Sequence, residues 1–254
     1  MAASTRWGQL DGNRQGFIRR CEKYAAFTVP KLCPPQGYDQ NISELQHDFQ
    51  SLGAQSVNHL ANKIMLALFA PSRPFFRLDA TKKMLAELSA IAGFDVTTLP
   101  EILAQGEKAA IRELDSLAIR PDLYEAIKHL IVTGNTMIEL TSDSLKTFGL
   151  KSYCVRRSST KKVVEILVAE KMLFDELEQA VQDQLASKYS TLHDLQVTHY
   201  RWIKRNAHGG YEMTQWVDAN QRPKAFNGKW TAQAMPFRVL AWDLTTNANY
   251  GTGL

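Results

Sequence analysis

The chain has 254 residues, of which 44% are hydrophobic and 22% charged, and its formal net charge is +4. This composition is typical of a globular protein with a sizeable core, and the mild positive charge permits contact with nucleic acid without requiring it. No apolar run approaches the ~18 residues of a membrane span, and no signal peptide is visible. Three widely spaced cysteines (Cys21, Cys33 and Cys154) indicate free thiols in a reducing compartment.

Residues 5–29 are predicted to form a basic helical arm. Apolar residues recur there at helical spacing, and five basic side chains stand against only Asp11 and Glu22. A proline ends the pattern, and a proline-rich loop follows. We therefore treat residues 1–50 as an N-terminal arm and loop, and residues 51–254 as one larger domain. The basic side chains of the arm are Arg6, Arg14, Arg19, Arg20 and Lys23.

The clearest amphipathic helix lies between Val57 and Leu68, where apolar residues recur at intervals of three and four. Pro71 ends this helix, because the residue before a proline avoids helical conformation. Residues 73–78, which read Arg-Pro-Phe-Phe-Arg-Leu, are expected to be extended.

Two further helical patterns complete the first half. A short one covers residues 81–92 and is closed by Gly93. A longer one begins after Thr98, whose side chain is expected to cap it, and stops at Gly134. Pro121 lies inside the longer pattern, so we expect a kink or two abutting helices.

The second half favours strands. Six segments there alternate polar and apolar residues or are rich in β-branched and aromatic side chains. Residues 158–162 indicate a polar hairpin turn, and residues 175–187 an inserted helix. The fold class is therefore α+β, with long amphipathic helices packed on a mainly antiparallel, β-rich second half. The expected strands cover residues 137–140, 152–156, 163–168, 195–203, 211–217 and 237–242.

Charge is segregated along the chain. Residues 79–125 carry nine acidic side chains against five basic ones, whereas residues 199–238 carry seven basic against two acidic. Such a subunit can meet a copy of itself head to tail, and a contact of this type closes into a ring if the rotation fits. The alternative is that both regions are ordinary solvated surface.

No catalytic constellation emerges. The chain has no GxxxxGK[ST] loop, no GxGxxG, no HExxH and no CxxC pair. His59 and the pair Lys128–His129 are more simply explained as polar helix residues. Glu165 and Glu170 fall on opposite faces of one strand because their separation is odd. We therefore expect no enzyme activity, no metal and no cofactor.

Two basic segments are candidates for contact with DNA. One is the hairpin at residues 156–162. The other, residues 199–205, alternates rings with basic side chains, as does a strand that stacks on bases. A half-buried strand with one solvated face explains the same alternation. The candidate DNA-facing residues are Arg156, Arg157, Lys161, Lys162, Arg201, Lys204 and Arg205.

Four strings in one order carry a family resemblance. Residues 51–78 read SLGAQSVNHLANKIMLALFAPSRPFFRL, and residues 123–135 read LYEAIKHLIVTGN. Residues 153–157 read YCVRR, with Glu-Ile following at 165–166, and residues 235–251 contain Met-Pro-Phe, a tryptophan and Asn-Tyr-Gly. Together they resemble the portal proteins of short-tailed bacteriophages over nearly the whole chain.

The chain departs from that family pattern at three places. Thr252 stands where the family usually has arginine, and Ala248-Asn249 replaces the usual acid before the tyrosine. Ala70 replaces the first of two prolines. An ion pair at the Tyr250 corner is therefore in doubt.

The resemblance implies a non-enzymatic subunit of a ring of about twelve copies at one capsid vertex, through which DNA is packaged and ejected. The chain would correspond to the wing domain, with the stem, clip and crown following it. The implied partners are copies of itself, the major capsid protein, tail adaptor and tail proteins, the terminase motor, scaffolding or internal core proteins, and non-specific double-stranded DNA, but no membrane. Assembly would take place in the host cytoplasm, and the final location would be the virion.

Two regions are expected to make subunit contacts in such a ring: the Arg-Pro-Phe-Phe-Arg segment and the basic arm. Two alternatives stay open, namely a cytoplasmic nucleic-acid-binding protein that uses residues 199–205, or another virion component such as a tail adaptor. The candidate interface residues are Arg73, Phe75, Phe76, Arg77, Arg14, Arg19 and Arg20.

Overall fold

The structure, a computed structural model, describes residues 2–38, 43–45, 51–70, 75–90, 96–141, 143–189, 195–222 and 227–254. It is a mixed α+β fold with helices concentrated in the first half and two antiparallel sheets in the second, which confirms the predicted class. The helices are α1 (Ala3–Gly12), α2 (Gln15–Phe27), α3 (Leu52–Leu68), α4 (Lys82–Ser89), α5 (Leu99–Ser116), α6 (Arg120–Thr133) and α7 (Gln179–Tyr189).

The helix boundaries follow local chemistry. The predicted arm is two helices, α1 and α2, separated at Asn13 and Arg14. The pattern around Pro121 is likewise two helices, because the proline occupies the first turn of α6, where it sacrifices no hydrogen bond. Gly134 ends α6 with a left-handed φ of 72°. Thr98 makes no side-chain capping bond to α5, and Pro71 and Gly93 lie outside the described residues.

All six predicted strands are confirmed, and the structure adds three shorter ones. The smaller sheet has the order β2-β1-β9; the larger runs β3-β4-β5-β6-β7, with β8 also paired to β6. The added strands β2, β7 and β8 are too short to show an alternating pattern. The strands are β1 (Asn135–Leu140), β2 (Leu145–Phe148), β3 (Tyr153–Arg157), β4 (Val163–Leu173), β5 (Gln196–Arg205), β6 (Tyr211–Val217), β7 (Asn220–Gln221), β8 (Gly228–Trp230) and β9 (Phe237–Ala241).

The two sheets share one core. Met137 and Phe237 of the smaller sheet pack with Ile166 and Ile203 of the larger one, and all four side chains are buried. The opposite face of the larger sheet is covered by α1, where Trp202 packs with residues of the first helix. Successive residues of a strand point to opposite faces, so β4 and β5 each contribute to both cores.

A second layer is helical. Helices α2, α3 and α6 share a core that includes Ile18, Cys21, Ala61 and Ile131. Helix α6 also contacts β1 and β2. The hydroxyl of Thr147 in β2 donates to the backbone carbonyl of Asp122 in the first turn of α6. The N-terminal helices thus contact both layers, and the division of the chain at residue 50 stays a prediction.

Residues 251–254 form hydrogen bonds with both sides of the junction between α6 and β1. The side chain of Asn135 donates to the carbonyl of Gly251 and accepts from its N–H, each at 2.8 Å. The N–H of Leu254 donates to the carbonyl of Ile131. This segment passes so close to Gly134 that a Cβ there would lie 2.2 Å from the carbonyl carbon of Thr252.

We expect Gly134→Ala to lower the free energy of unfolding by more than about 1 kcal/mol, because alanine is strained at positive φ and its methyl group collides with the terminal segment. Gly16→Ala in α2 is the matched control, since a Cβ there meets nothing within 4 Å. It should be neutral or stabilise by up to about 1 kcal/mol. Urea denaturation of both variants measures the difference, and equal stabilities would contradict this account of the junction.

Candidate interface and nucleic-acid-facing surfaces

Arg14, a candidate interface residue, lies inside its own chain and is 4% exposed. One guanidinium nitrogen donates to the carbonyls of Leu150 and Tyr153 at 2.8 and 2.6 Å, and Nε donates to Asp11 at 2.9 Å. The guanidinium carbon lies 5.5 Å from the centroid of the Tyr250 ring. Arg14 therefore joins the start of α2, the turn before β3 and the end of the chain.

Arg19 and Arg20 differ from Arg14 because they are exposed on α2. The guanidinium of Arg20 lies 5.7 Å from the centroid of the Phe17 ring. Of the three arm arginines that are candidate interface residues, Arg19 and Arg20 have side chains within reach of another molecule.

The Phe75–Arg77 segment stands at the surface. Phe75 is 48% exposed, and its ring lies 5.1 Å from the Phe69 ring and 5.2 Å from the Phe76 ring, centroid to centroid. Arg77 is exposed beside a groove of about 430 Å³ between residues 77–80, α4 and α5. Arg73 lies outside the described residues.

Large apolar side chains are also exposed on the helices that precede and follow this segment in the sequence. They lie on the last turn of α3, on the extended segment and on α4 and α5, and each is at least 42% exposed. We call this set the apolar rim. Its members are Leu66, Leu68, Phe75, Leu78, Met84 and Ile102.

The basic hairpin is confirmed, and it directs two of its cations toward the chain itself. The backbone N–H of Arg157 donates to Asn249 Oδ1 at 2.7 Å, and its guanidinium donates to the carbonyl of Val239. Lys161 Nζ donates to the carbonyl of Leu244 at 2.6 Å. Asn249, which belongs to the Ala248-Asn249 pair that replaces the usual family acid, thus accepts a hydrogen bond here. Lys162 is exposed.

Arg201 lies between the two sheets. It donates to Glu139 and to Glu170, each at 2.7 Å, and its guanidinium sits 5.4 and 5.1 Å from the ring centroids of Phe148 and Phe237. The charge of this candidate DNA-facing residue is therefore compensated within the chain.

Glu165 occupies the opposite face of β4 from Glu170, as its odd separation predicts, and its side chain is 4% exposed. It accepts from Arg6 at 2.6 and 3.0 Å, from Arg156 at 3.0 Å and from the indole N–H of Trp202 at 2.8 Å. Burial alone would raise the pKa of this carboxyl group, but the donors outweigh it and hold the pKa at about 2.

A shallow depression of about 420 Å³ opens above Glu165 on the outer face of the larger sheet. It brings together three candidate DNA-facing residues from β3 and β5 and one residue of α1. Trp202 at its floor is only 7% exposed, so the ring is not available to stack on bases. The cationic side chains that line it are Arg6, Arg156, Lys204 and Arg205.

Sequence reasoning did not single out Arg6 or the role of Glu165. Counting back from the turn at residues 158–162 in an antiparallel hairpin places Arg156 opposite Val164. The observed register shifts between Arg156 and Arg157, and this irregularity places Arg156 opposite Glu165. The contact from Arg6 crosses 159 residues of sequence, and no local pattern encodes it.

Three of the basic side chains in residues 199–238 form ion pairs or hydrogen bonds with other residues of the same chain. Arg201 pairs with two glutamates, Arg222 pairs with Glu178, and Arg238 donates to backbone carbonyls. Lys224 lies outside the described residues. The remaining exposed cations are Lys204, Arg205 and Lys229.

The described residues contain no group of three or more His, Cys, Asp or Glu side chains that could hold a metal ion. His59 is exposed on α3, and buried His129 lies 3.6 Å from Glu125. Within the same residues, no helix combines the length and the apolar character needed to cross a membrane.

Comparison with known proteins gives matches along the whole chain. The family of bacteriophage head to tail connecting proteins matches residues 1–254. The portal protein of Pseudomonas phage phiKMV is 30% identical over 260 residues, which cover 99% of this chain and 49% of the relative. That of Enterobacteria phage SP6 is 29% identical, covering 98% and 48%, and that of Escherichia phage T7 is 28% identical, covering 73% and 36%. The chain spans about half the length of the first two relatives.

We expect Glu165→Gln to lower the free energy of unfolding by about 3 kcal/mol, because it leaves the buried indole of Trp202 and the partly buried guanidinium of Arg6 without a charged acceptor. Glu212→Gln is the control, since Glu212 is 48% exposed and 3.5 Å from Lys229; it should cost less than about 1 kcal/mol.

The same carboxylate makes stability depend on pH. Folding lowers the pKa of Glu165 from 4.5 to about 2. The ionised carboxylate therefore contributes its full share of the folding free energy above pH 4.5, and this stabilisation is lost as the pH falls toward 2. The stability difference between the parent protein and Glu165→Gln should therefore shrink across that window in denaturation experiments. A difference that stays constant there would contradict the assigned ionisation.

Proposed function

The chain belongs to the bacteriophage head to tail connecting proteins, among the portal proteins of short-tailed phages, and on that premise we propose that it is a non-enzymatic subunit of a ring at one capsid vertex. About twelve copies surround a channel in this proposal, and a head-to-tail contact between identical subunits closes the ring. Duplex DNA enters through the channel during packaging and leaves through it at infection.

The observation that carries this proposal is the family match across the entire chain. The proposed partners are further copies of the chain, the major capsid protein, tail adaptor and tail proteins, the terminase motor during packaging, and scaffolding or internal core proteins. The chain would form the wing-like part of the subunit, assembled in the host cytoplasm and carried in the virion.

The apolar rim supports a lateral contact between neighbouring subunits. Exposed aromatic side chains and arginine are residue types that interface cores favour. Arg77 lines the groove between residues 77–80, α4 and α5, and Arg73, Phe75 and Phe76 belong to the same segment of sequence. Arg19 and Arg20 of α2 are candidates for a second contact, with a neighbour or with the tail adaptor.

A conduit must let DNA slide, so its contacts should be weak, sequence-independent and sensitive to salt. The mild net charge of +4 suits this requirement better than a strongly basic surface would. Among the candidate DNA-facing residues, Lys162, Lys204 and Arg205 are exposed, and exposed Arg156 uses only Nε in its bond to Glu165. These four are therefore favoured over Arg157, Lys161 and Arg201, whose side-chain termini bond within the chain.

We expect Phe75→Ala to abolish or weaken ring formation while leaving the subunit folded, because a side chain that is half exposed contributes little to the core but much to an interface. Analytical ultracentrifugation measures the assembly, and circular dichroism measures the fold. Phe27→Ala is the control, since Phe27 is a 72% exposed phenylalanine of α2 that is not a member of the apolar rim.

Two results would count against this assignment. If Phe75→Ala assembles as the parent does, the rim is not the lateral interface. If the parent protein sediments only as a monomer at high concentration, the ring proposal itself fails.

A further inference from the structure

We propose that the depression above Glu165 is a phosphate-binding site that holds the backbone of duplex DNA through Arg156, Lys204 and Arg205. The inference rests on the proposed function, because it assigns to one defined site the DNA contact that a conduit requires. Four cationic side chains line this depression around a single carboxylate.

The buried carboxylate organises the cations rather than cancelling them. Glu165 engages Arg156 only through Nε, at 3.0 Å, and the two terminal nitrogens of that guanidinium make no hydrogen bond to the described residues. Arg6 is fixed by two bonds to the same carboxylate. A guanidinium held in this way loses little conformational entropy when it meets a phosphate, and its fork geometry matches the phosphate oxygens.

Lys204 and Arg205 complete the site at the end of β5. Lys204 Nζ lies 3.4 Å from the centroid of the Trp202 ring, so the indole holds the ammonium group in place without neutralising it. Both side chains are exposed, and Arg205 makes only a long bond from Nε to the carbonyl of Gly209. Glu212, opposite Lys204 in the register, pairs with Lys229 at 3.5 Å.

The chemistry of the depression favours a nucleic-acid backbone over an acidic protein segment. A protein partner is usually anchored by apolar or aromatic side chains in pockets. None of the strongly exposed apolar side chains of the described residues lines this depression, and Trp202 is buried at its floor. Positively charged side chains are sufficient for sequence-independent contact with phosphates, and such a contact needs no exposed apolar side chains.

The test compares the double variant Lys204→Gln/Arg205→Gln with the control Lys23→Gln/Lys31→Gln, which removes the same charge from two exposed lysines outside the depression. Binding to a fluorescent DNA duplex is measured by anisotropy over a range of salt concentrations. Each lost phosphate contact lowers the magnitude of the slope of log affinity against log salt by about 0.9. We expect a loss on the order of 1.8 for the depression variant and little change for the control.

Equal slopes for the two variants would overturn the assignment. So would loss of ring formation by the depression variant with its DNA slope unchanged, because the site would then receive a neighbouring subunit. Calorimetric binding of inorganic phosphate that disappears in the variant while the DNA slope stays constant would assign the site to a free ion and reject DNA. Ring formation by the parent is scored separately, so failure of the conduit proposal is distinguishable from failure of this site.

Discussion

The buried guanidinium of Arg14 bonds two carbonyl groups that lie 136 and 139 residues further along the chain, and it also packs on the ring of Tyr250. Because its charge has almost no contact with water, removing one partner of such a cluster typically costs about 3–5 kcal/mol. The constraint ties the beginning, the middle and the end of the chain together. Consequently α1 lies on the larger sheet and α2 lies against α6, and neither is a free arm.

Two surfaces follow from that arrangement. With α1 held in place, Arg6 reaches Glu165, and the carboxylate in turn orients Arg156 at the outer face of the larger sheet. Arg201 and Arg222 of the second half are paired with carboxylates of the same chain. Four cationic side chains line one shallow depression, whereas large apolar side chains are exposed on α3, α4 and α5. A subunit that joins copies of itself and lets DNA pass needs these two properties in separate places.

The sequence predicts the elements well where periodicity is long, as in α3 and β5, and it predicts the α5–α6 break because Pro121 admits few conformations. It predicts side-chain partners less well. Arg201 and Lys204 look alike in the alternating strand, yet one lies between the sheets and the other is exposed, since an odd separation puts them on opposite faces. The burial of Arg14 could not be predicted, because all of its distant partners are set by tertiary packing.

The proposed subunits must close around an axis, and electron microscopy of the intact purified protein tests that closure most directly. Axial views should show closed rings with a central opening wide enough for duplex DNA. Fields of separate compact particles, under conditions where the protein is folded and concentrated, would contradict the account.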